Sequence, residues 1–198
     1  MAVHVLAASE VFDAAPAEVT SEQRRYAKVI NFGLIYGMSA WGLASNLGIE
    51  RDAARTYIDR YFARYPKVRA YMDRTRELAR SQGYVETVFG RRLWLAEINS
   101  PSGPRRQGAE RAAINAPMQG TAADLIKLAM IRVQGWLEAR RMKSLLIMQV
   151  HDELVLEVPD DELDAVRAEL PGMMTSVAAL DVPLEVAVGA GADWDKAH

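Results

Sequence analysis

The first part of the chain carries apolar residues at helical spacing, with helix-capping residues between the periods. Thr20 and Gln23 form a capping-box pattern, which predicts a helix that runs to about Tyr36. Apolar residues at every fourth position predict a second helix over about 50–64. A third is predicted over 66–83, because proline suits the first helical position and glycine the residue after the last.

Strand patterns and one long loop follow these helices. Residues 84–88 and 93–95 are β-prone runs joined by a turn that contains glycine, which predicts a hairpin. The proline- and serine-rich stretch 99–104 is the clearest loop in the chain and the expected domain boundary. A helix is expected over about 105–119, where Pro117 should bend or end it because proline removes a backbone donor. A continuation of that helix is expected after the proline.

The remaining residues alternate mainly with the period of strands. An apolar run over 145–150 and alternation over 154–158 predict a second hairpin with residues 151–153 at or near its tip. An acidic helix from about residue 160 and a final strand around 184–188 are expected to follow. The predicted fold class is therefore α+β: a helical subdomain, then an antiparallel β-hairpin with packed helices.

Composition excludes several classes of protein. The chain has 198 residues, of which 50% are hydrophobic and none is cysteine. The apolar content argues against a disordered chain, and the lack of cysteine excludes a disulfide scaffold. No apolar stretch approaches the ~20 residues that span a bilayer, and no basic segment followed by an apolar one opens the chain. We therefore expect a cytoplasmic protein without a membrane partner.

The charges are unevenly distributed, although the formal net charge is only −2. Residues 1–143 carry 22 basic and 14 acidic side chains, whereas residues 144–198 carry 2 basic and 12 acidic ones. A basic part followed by an acidic part indicates a polyanionic partner for the first and a cation or a solvated surface for the second. Ordinary charged helix faces are the alternative explanation.

Four residues of the first predicted helix carry candidate chemistry. Arg24, Lys28, Phe32 and Tyr36 lie four positions apart, so they cover one face over about 18 Å. Cations one turn apart can bind successive phosphates, and aromatic rings can stack on a sugar or base. By spacing alone, an ordinary amphipathic helix remains the alternative.

The residue types of this segment are more specific evidence than the spacing of those four residues. Residues 24–37 resemble the fingers-helix signature of family A DNA polymerases, R-x-x-x-K-x-x-x-F-G-x-x-Y-G. The resemblance implies that Arg24 and Lys28 contact the phosphates of the incoming nucleotide, with Lys28 also counted as catalytic. It further implies that Phe32 packs on the sugar and that Tyr36 lies by the nascent base pair.

One more nucleotide contact is implied before this helix. His4 stands at the position of a phosphate-contacting histidine of the family, twenty residues before the signature arginine. We therefore include His4 among the expected nucleotide-binding residues.

A second constellation lies on the helix that follows the loop. Arg106, Arg111, Asn115 and Gln119 carry donors suited to phosphate oxygens and base acceptors, and the last three recur at every fourth residue. Such side chains are also common on solvated helix faces. However, residues 110–124 closely resemble the palm helix of the same family, which implies sequence-independent contact with primer–template DNA.

The third constellation is the sequence His151-Asp152-Glu153 between two predicted strands. A hairpin tip can expose a carboxylate on a rigid backbone, which suits Mg²⁺. A solvated acidic turn is the alternative. With its apolar flanks the segment resembles the palm hairpin of the family, which implies that Asp152 binds the metal and is catalytic. Glu153 then has a supporting catalytic role, and His151 contacts the DNA near the primer end.

Part of the expected active site has no counterpart in the sequence. Two-metal nucleotidyl transfer needs paired carboxylates that hold two ions ~3.5–4 Å apart. The family takes one aspartate from a strand reading like D-Y-S-Q-I-E-L-R, and no such segment occurs here. We therefore expect little or no activity from this chain alone, and a partner in the missing N-terminal part of a polymerase.

The resemblance predicts the fingers over 1–104 and the C-terminal part of the palm over 105–198. The expected function is that of a DNA-directed DNA polymerase fragment, a nucleotidyltransferase of DNA replication and repair. The expected partners are primer–template DNA, dNTP and Mg²⁺. A non-catalytic nucleotide- or DNA-binding fragment is the alternative. A related RNA polymerase or reverse transcriptase fits less well, because the F-G-x-x-Y-G motif is closer to the motif of DNA polymerases.

Overall fold

The computed structural model describes residues 8–9 and 14–197, so His4 lies outside the described residues. The chain forms two compact units that divide between Met118 and Gln119. This division falls within a helix and later than the proline- and serine-rich loop. The ranges 1–104 and 105–198 were defined by resemblance rather than by contacts, and they stay predictions.

Four helices of the first unit precede its hairpin. They are α1 (Ser21–Ile35), α2 (Ala40–Leu47), α3 (Arg51–Arg64) and α4 (Pro66–Gln82). The predicted capping box begins α1: the backbone N–H of Gln23 donates to the Thr20 hydroxyl at 3.2 Å, and the backbone N–H of Thr20 donates to the Gln23 side chain at 2.9 Å. Helices α1, α3 and α4 confirm the three sequence predictions.

Helix α2 was not predicted, because its apolar period lasts only about two turns. Its ends nevertheless carry ordinary signals. The Ser39 hydroxyl accepts a hydrogen bond from the backbone N–H of Gly42 at 3.2 Å, and Gly48 ends the helix with φ +64°. The side chain of Trp41 on this helix is 70% exposed.

Two main apolar clusters stabilise the described part of the first unit. The larger is buried between α1, α2 and α3, and it consists of Ile30, Leu34, Leu43, Ala54 and Tyr61. The smaller lies under a hairpin of β1 (Tyr84–Glu86) and β2 (Arg92–Trp94), which are antiparallel as predicted. Its buried residues are Ala79, Val85, Leu95, Ile98 and Ala113.

One long helix, α5, spans Gly103–Ala139 with Pro117 inside it. A bend or an end was predicted at Pro117, with a continuation after it, and the helix runs through this residue without ending. Proline removes only its own N–H, at a cost of about 3 kcal/mol, and burial on both sides can outweigh that cost. Ile114 is fully buried before the proline, and Val133 is fully buried after it.

The second unit holds the predicted second hairpin. Strands β3 (Leu145–Val150) and β4 (Glu153–Glu157) pair antiparallel, with an irregularity between Leu146 and Met148. Helix α6 spans Leu163–Thr175 and packs against the end of α5 through a cluster of Val133, Leu137, Val166 and Leu170. A short 3₁₀ turn covers Asp195–Ala197.

The predicted strand at 184–188 is absent from the described chain, which has two two-stranded sheets, β1–β2 and β3–β4. The side chains of the segment do alternate between half-buried and exposed, and Val188 packs on the core of the second unit. A strand also needs a backbone partner, and alternation alone does not supply one. Among the described residues, no helix is both long and apolar enough to cross a membrane.

Candidate nucleotide and DNA interface

Helix α1 presents the predicted polar and aromatic face to solvent. Arg24 and Lys28 are exposed, and the rings of Phe32 and Tyr36 are 40% and 38% exposed. The opposite face packs into the protein through Ala27, Ile30 and Leu34, each of them at most 2% exposed. The capping box and the buried stripe therefore fix which side of α1 a ligand can reach.

Within this face the side chains already contact one another. The Lys28 ammonium lies 5.8 Å from the centre of the Phe32 ring. The Phe32 and Tyr36 rings stack with centroids 6.2 Å apart and an interplanar angle of 12°. The helix thus offers two cations for an anionic group, followed by a continuous aromatic surface for a sugar or base.

Two glycines shape the end of α1. A Cβ at Gly33 would lie 2.8–2.9 Å from the end of the Met38 side chain, so the helix has room for Met38 to fold back. Gly37 adopts φ +76°, and a Cβ there would lie 3.4 Å from Cγ of Arg111. The chain therefore reverses at Gly37 and brings the aromatic end of α1 against α5.

Helix α5 places the DNA-contact candidates in different surroundings. Arg111 is exposed next to Gly37, and Arg106 donates to the carbonyl of Ser100 at 3.0 Å. The side-chain oxygen of Asn115 is buried and finds no hydrogen-bond partner among the described residues. Gln119 is exposed at the start of the second unit. The fold thus brings Arg111 to the end of α1, whereas the Arg106 side chain turns back to the loop that precedes α5.

Two contacts that the sequence did not reveal hold α5 against α4. The Tyr71 hydroxyl donates to the carbonyl of Ile114 at 3.1 Å, and Arg80 pairs with Glu110 at 2.7 Å. Burial raises the pKa of Tyr71, so its hydroxyl stays a donor at neutral pH. The hydrogen bond that Arg80 donates to Glu110 raises the pKa of Arg80, which keeps the pair charged. No local pattern signals these contacts, because each joins residues at least 30 positions apart.

The β3–β4 hairpin ends in a two-residue turn of His151 and Asp152, since Val150 pairs directly with Glu153. His151 adopts φ +53°, in the left-handed region, and Gln149 donates to its carbonyl at 2.5 Å. Both turn side chains are exposed. The predicted tip is thus confirmed in position, and Gln149 is an additional residue that orients it.

The carboxylate oxygens at this tip are suited to form part of a magnesium site. No group of three or more His, Cys, Asp or Glu side chains that could hold a metal ion occurs among the described residues. Mg²⁺ is nevertheless often bound by one or two carboxylates together with substrate phosphates and water. The exposed carboxylate of Asp152, with Glu153 next in sequence, can supply one side of such a site.

Comparison with known proteins identifies the family of the chain. A family model described as DNA polymerase family A matches residues 2–196, and the chain belongs to that family. A DNA polymerase I of Pseudomonas aeruginosa is 57% identical over 196 residues, which cover 99% of this chain and 22% of that protein. A thermostable DNA polymerase I of Thermus filiformis is 48% identical over 98% of this chain and 23% of its own length.

A solved structure shares the fold closely. The POL domain of Pol1 from M. smegmatis, in complex with DNA primer-template and dNTP, matches with a TM-score of 0.95 at 43% identity. The match covers 99% of this chain and 35% of that one. The chain thus spans about 22% of the length of the Pseudomonas relative. Polymerases of this family use divalent metal ions in general.

Proposed function

We propose that this chain supplies the nucleotide-contacting helix and part of the DNA-contacting surface of a DNA-directed DNA polymerase. The reaction is template-directed addition of a deoxynucleotide to a primer 3′ hydroxyl, with release of pyrophosphate. The observation that carries the proposal is the exposed face of α1 in a chain of DNA polymerase family A. In this proposal residues 1–104 are the fingers and 105–198 the C-terminal part of the palm.

The α1 face would bind the incoming dNTP along its length. Arg24 and Lys28 bind phosphate oxygens, because both are exposed cations one turn apart. Phe32 and Tyr36 then stack against the sugar and the new base pair. The Lys28 ammonium lies 5.8 Å from the Phe32 ring, so we assign it the stabilisation of charge that develops on the phosphates. His4 is a further expected phosphate contact.

The DNA would be held by groups that do not read its sequence. Arg111 and Gln119 are exposed donors for phosphate and sugar oxygens, and Arg106 is a third candidate. Asn115 and His151 complete the proposed set. Contact of this kind holds any primer–template in register, as a replication or repair enzyme requires. Work on a bacterial chromosome would place the protein in the cytoplasm.

Asp152 would hold Mg²⁺ at the hairpin tip, with Glu153 in support. When bound, such an ion activates the primer hydroxyl and stabilises the leaving pyrophosphate. The hairpin holds the Asp152 carboxylate on a paired backbone, so little reorganisation is needed for it to bind a cation. Two ions need further carboxylates, which the described residues do not gather at one place.

A chimera tests this proposal directly. The 198 residues replace the matching segment of the Pseudomonas aeruginosa polymerase, with which they share 57% identity. We expect the chimera to extend a labelled primer with Mg²⁺ and dNTP, and the 198-residue chain alone to extend it little or not at all. Lys28→Ala in the chimera should lower kcat at least tenfold, because phosphate charge loses its nearest cation.

Lys67→Ala is the matched control, since Lys67 is another exposed lysine but lies at the start of α4. It should leave kcat unchanged. A folded chimera without extension activity would contradict the proposed function. Robust extension by the 198 residues alone would contradict the claim that the site is incomplete.

The second candidate function is a nucleotide- and DNA-binding fragment without catalysis. It is favoured by one observation: the described residues contain no cluster of carboxylates for a two-ion site. It predicts that the isolated chain binds primer–template without extending it. The chimera separates the two, since only a polymerase segment restores extension.

A further inference from the structure

Helix α4 holds one turn of α5 at two points. The Tyr71 hydroxyl donates to the carbonyl of Ile114 at 3.1 Å, and Arg80 pairs with Glu110 at 2.7 Å. Arg111, the exposed candidate for a phosphate contact, lies on the same turn between these two points. Contacts at both ends of a turn restrict its rotation and its position along the helix axis. They therefore also restrict the point from which the Arg111 side chain extends.

The end of this turn lies where the hydrogen bonding of α5 is weakened by a proline. Pro117 has no backbone N–H, so the carbonyl of Ala113 loses the donor that this position supplies in an ordinary helix. The hydrogen bond from Tyr71 reaches the next carbonyl, that of Ile114. Helix α4 thus adds a fixed contact beside the carbonyl that the proline deprives of its donor.

The same turn also lies against the end of α1. Ile114 is fully buried, and its Cδ1 lies 3.6 Å from the position of a Cβ added at Gly37. Cγ of Arg111 lies 3.4 Å from that position. Residues three positions apart are neighbours on a helix, so a shift of this turn moves Ile114 and Arg111 together.

We propose that Tyr71 is a positioning residue for DNA binding: its hydrogen bond to Ile114 fixes the turn of α5 from which Arg111 reaches a phosphate of the primer–template. This inference rests on the proposed function, because it requires Arg111 to be a DNA contact. N–H···O hydrogen bonds span only about 2.7–3.2 Å, so a shift of the turn by ~1 Å breaks or lengthens such a contact. Tyr71 itself acts through α5 and needs no contact with the DNA.

Tyr71→Phe in the polymerase chimera that carries the 198 residues tests the inference, because it removes the hydroxyl and leaves the ring. We expect primer–template to bind at least threefold more weakly in fluorescence anisotropy. The slope of log K against log salt should fall by up to about one, as for the loss of one phosphate contact. Tyrosine is uncharged at neutral pH, so a lower slope reports a contact that is lost at another residue.

A double-mutant cycle identifies the residue through which Tyr71 acts. Arg111→Ala alone should weaken binding and lower the slope, and Tyr71→Phe added to it should have no further effect. Tyr57→Phe is the matched control, because Tyr57 is a half-buried tyrosine of α3 that packs on the larger apolar cluster. It should change neither affinity nor slope. Circular dichroism and urea denaturation confirm that each variant is folded.

Three results would overturn the inference, and they separate it from the proposed function. Additive effects of Tyr71→Phe and Arg111→Ala would show that Tyr71 acts elsewhere. Unchanged affinity and slope in Tyr71→Phe, when Arg111→Ala weakens binding, would contradict the inference and leave the DNA contact standing. Unchanged binding in Arg111→Ala would contradict the proposed DNA contact and the inference together.

Discussion

At the residue scale, Gly37 lies between the exposed face of α1 and helix α5. Its backbone lies at φ +76°, where L side chains cost roughly 1–2 kcal/mol, and Arg111 stands 3.4 Å from the position of an added Cβ. A Cβ at that distance makes only an ordinary van der Waals contact, so the cost of a side chain here comes from backbone strain. Glycine at this position therefore serves the turn.

We therefore expect Gly37→Ala to lower the free energy of unfolding by about 1–2 kcal/mol. Urea denaturation of the 198-residue chain measures it. The matched control is Gly108→Ala in α5, where no described heavy atom lies within 4 Å of an added Cβ. That change should be neutral or stabilise by up to about 1 kcal/mol, because alanine favours a helix. Equal effects of the two changes would contradict a special role for Gly37.

At the element scale, Glu162 joins the start of α6 to the start of β3. Its carboxylate accepts from the Ser144 hydroxyl, and from the backbone N–H groups of Lys143 and Ser144 at 2.8 and 2.9 Å. The Ser144 hydroxyl is the main cause that lowers the pKa of Glu162, followed by the Lys143 N–H. Lys143 also pairs with Asp161 at 2.9 Å, and this lowers the pKa of Asp161. These contacts fix where the hairpin and α6 begin relative to each other.

The lowered pKa makes the stabilising effect of Glu162 depend on pH. A carboxyl whose pKa is lower in the folded state stabilises the protein above its unfolded value, here 4.5. That stability is lost as the pH falls through the folded pKa. Glu162→Gln should therefore reduce the free energy of unfolding at pH 7 and have less effect at acidic pH. Urea denaturation at several pH values measures this difference.

Glu185→Gln, which changes an exposed carboxylate of the same unit, is the control. Its effect should be small and independent of pH. If Glu162→Gln destabilised the protein equally at every pH, shape or packing rather than charge would explain the role of Glu162.

At the scale of the whole molecule, the basic charge and the DNA-contact candidates occupy the same part of the sequence. Residues 1–143 hold 22 of the 24 basic side chains, and all the candidate DNA contacts except His151 fall within them. Contacts to phosphates release counterions, so binding should weaken as salt rises. The hairpin that carries Asp152 lies in the acidic remainder, whose charge favours a cation.

We expect the chain to bind labelled primer–template with an affinity that falls steeply with salt concentration. Arg111→Ala should weaken binding and reduce the slope of log K against log salt by about one, as for the loss of one phosphate contact. Arg51→Ala removes the same charge at the start of α3 and should change the slope little. Fluorescence anisotropy measures both. If the two variants behaved alike, only the overall charge would matter.

Sequence alone determined the features that depend on neighbouring residues. The capping box and a four-residue period specify α1 and its exposed face, because caps and side-chain directions in a helix are local properties. The apolar runs on both sides of His151 and Asp152 likewise determined the hairpin and its tip. Even α2 had local signals at Ser39 and Gly48, although its apolar period was too short to recognise.

Only the tertiary structure decided the features that depend on residues far apart in sequence. Burial before and after Pro117 lets α5 continue through it, although local chemistry predicted a bend or an end there. Residues 184–188 alternate like a strand but have no backbone partner among the described strands. The contact between Gly37 and Arg111 and the hydrogen bond from Tyr71 to Ile114 arise where separate helices meet. Packing between distant segments sets these features, and no local pattern encodes it.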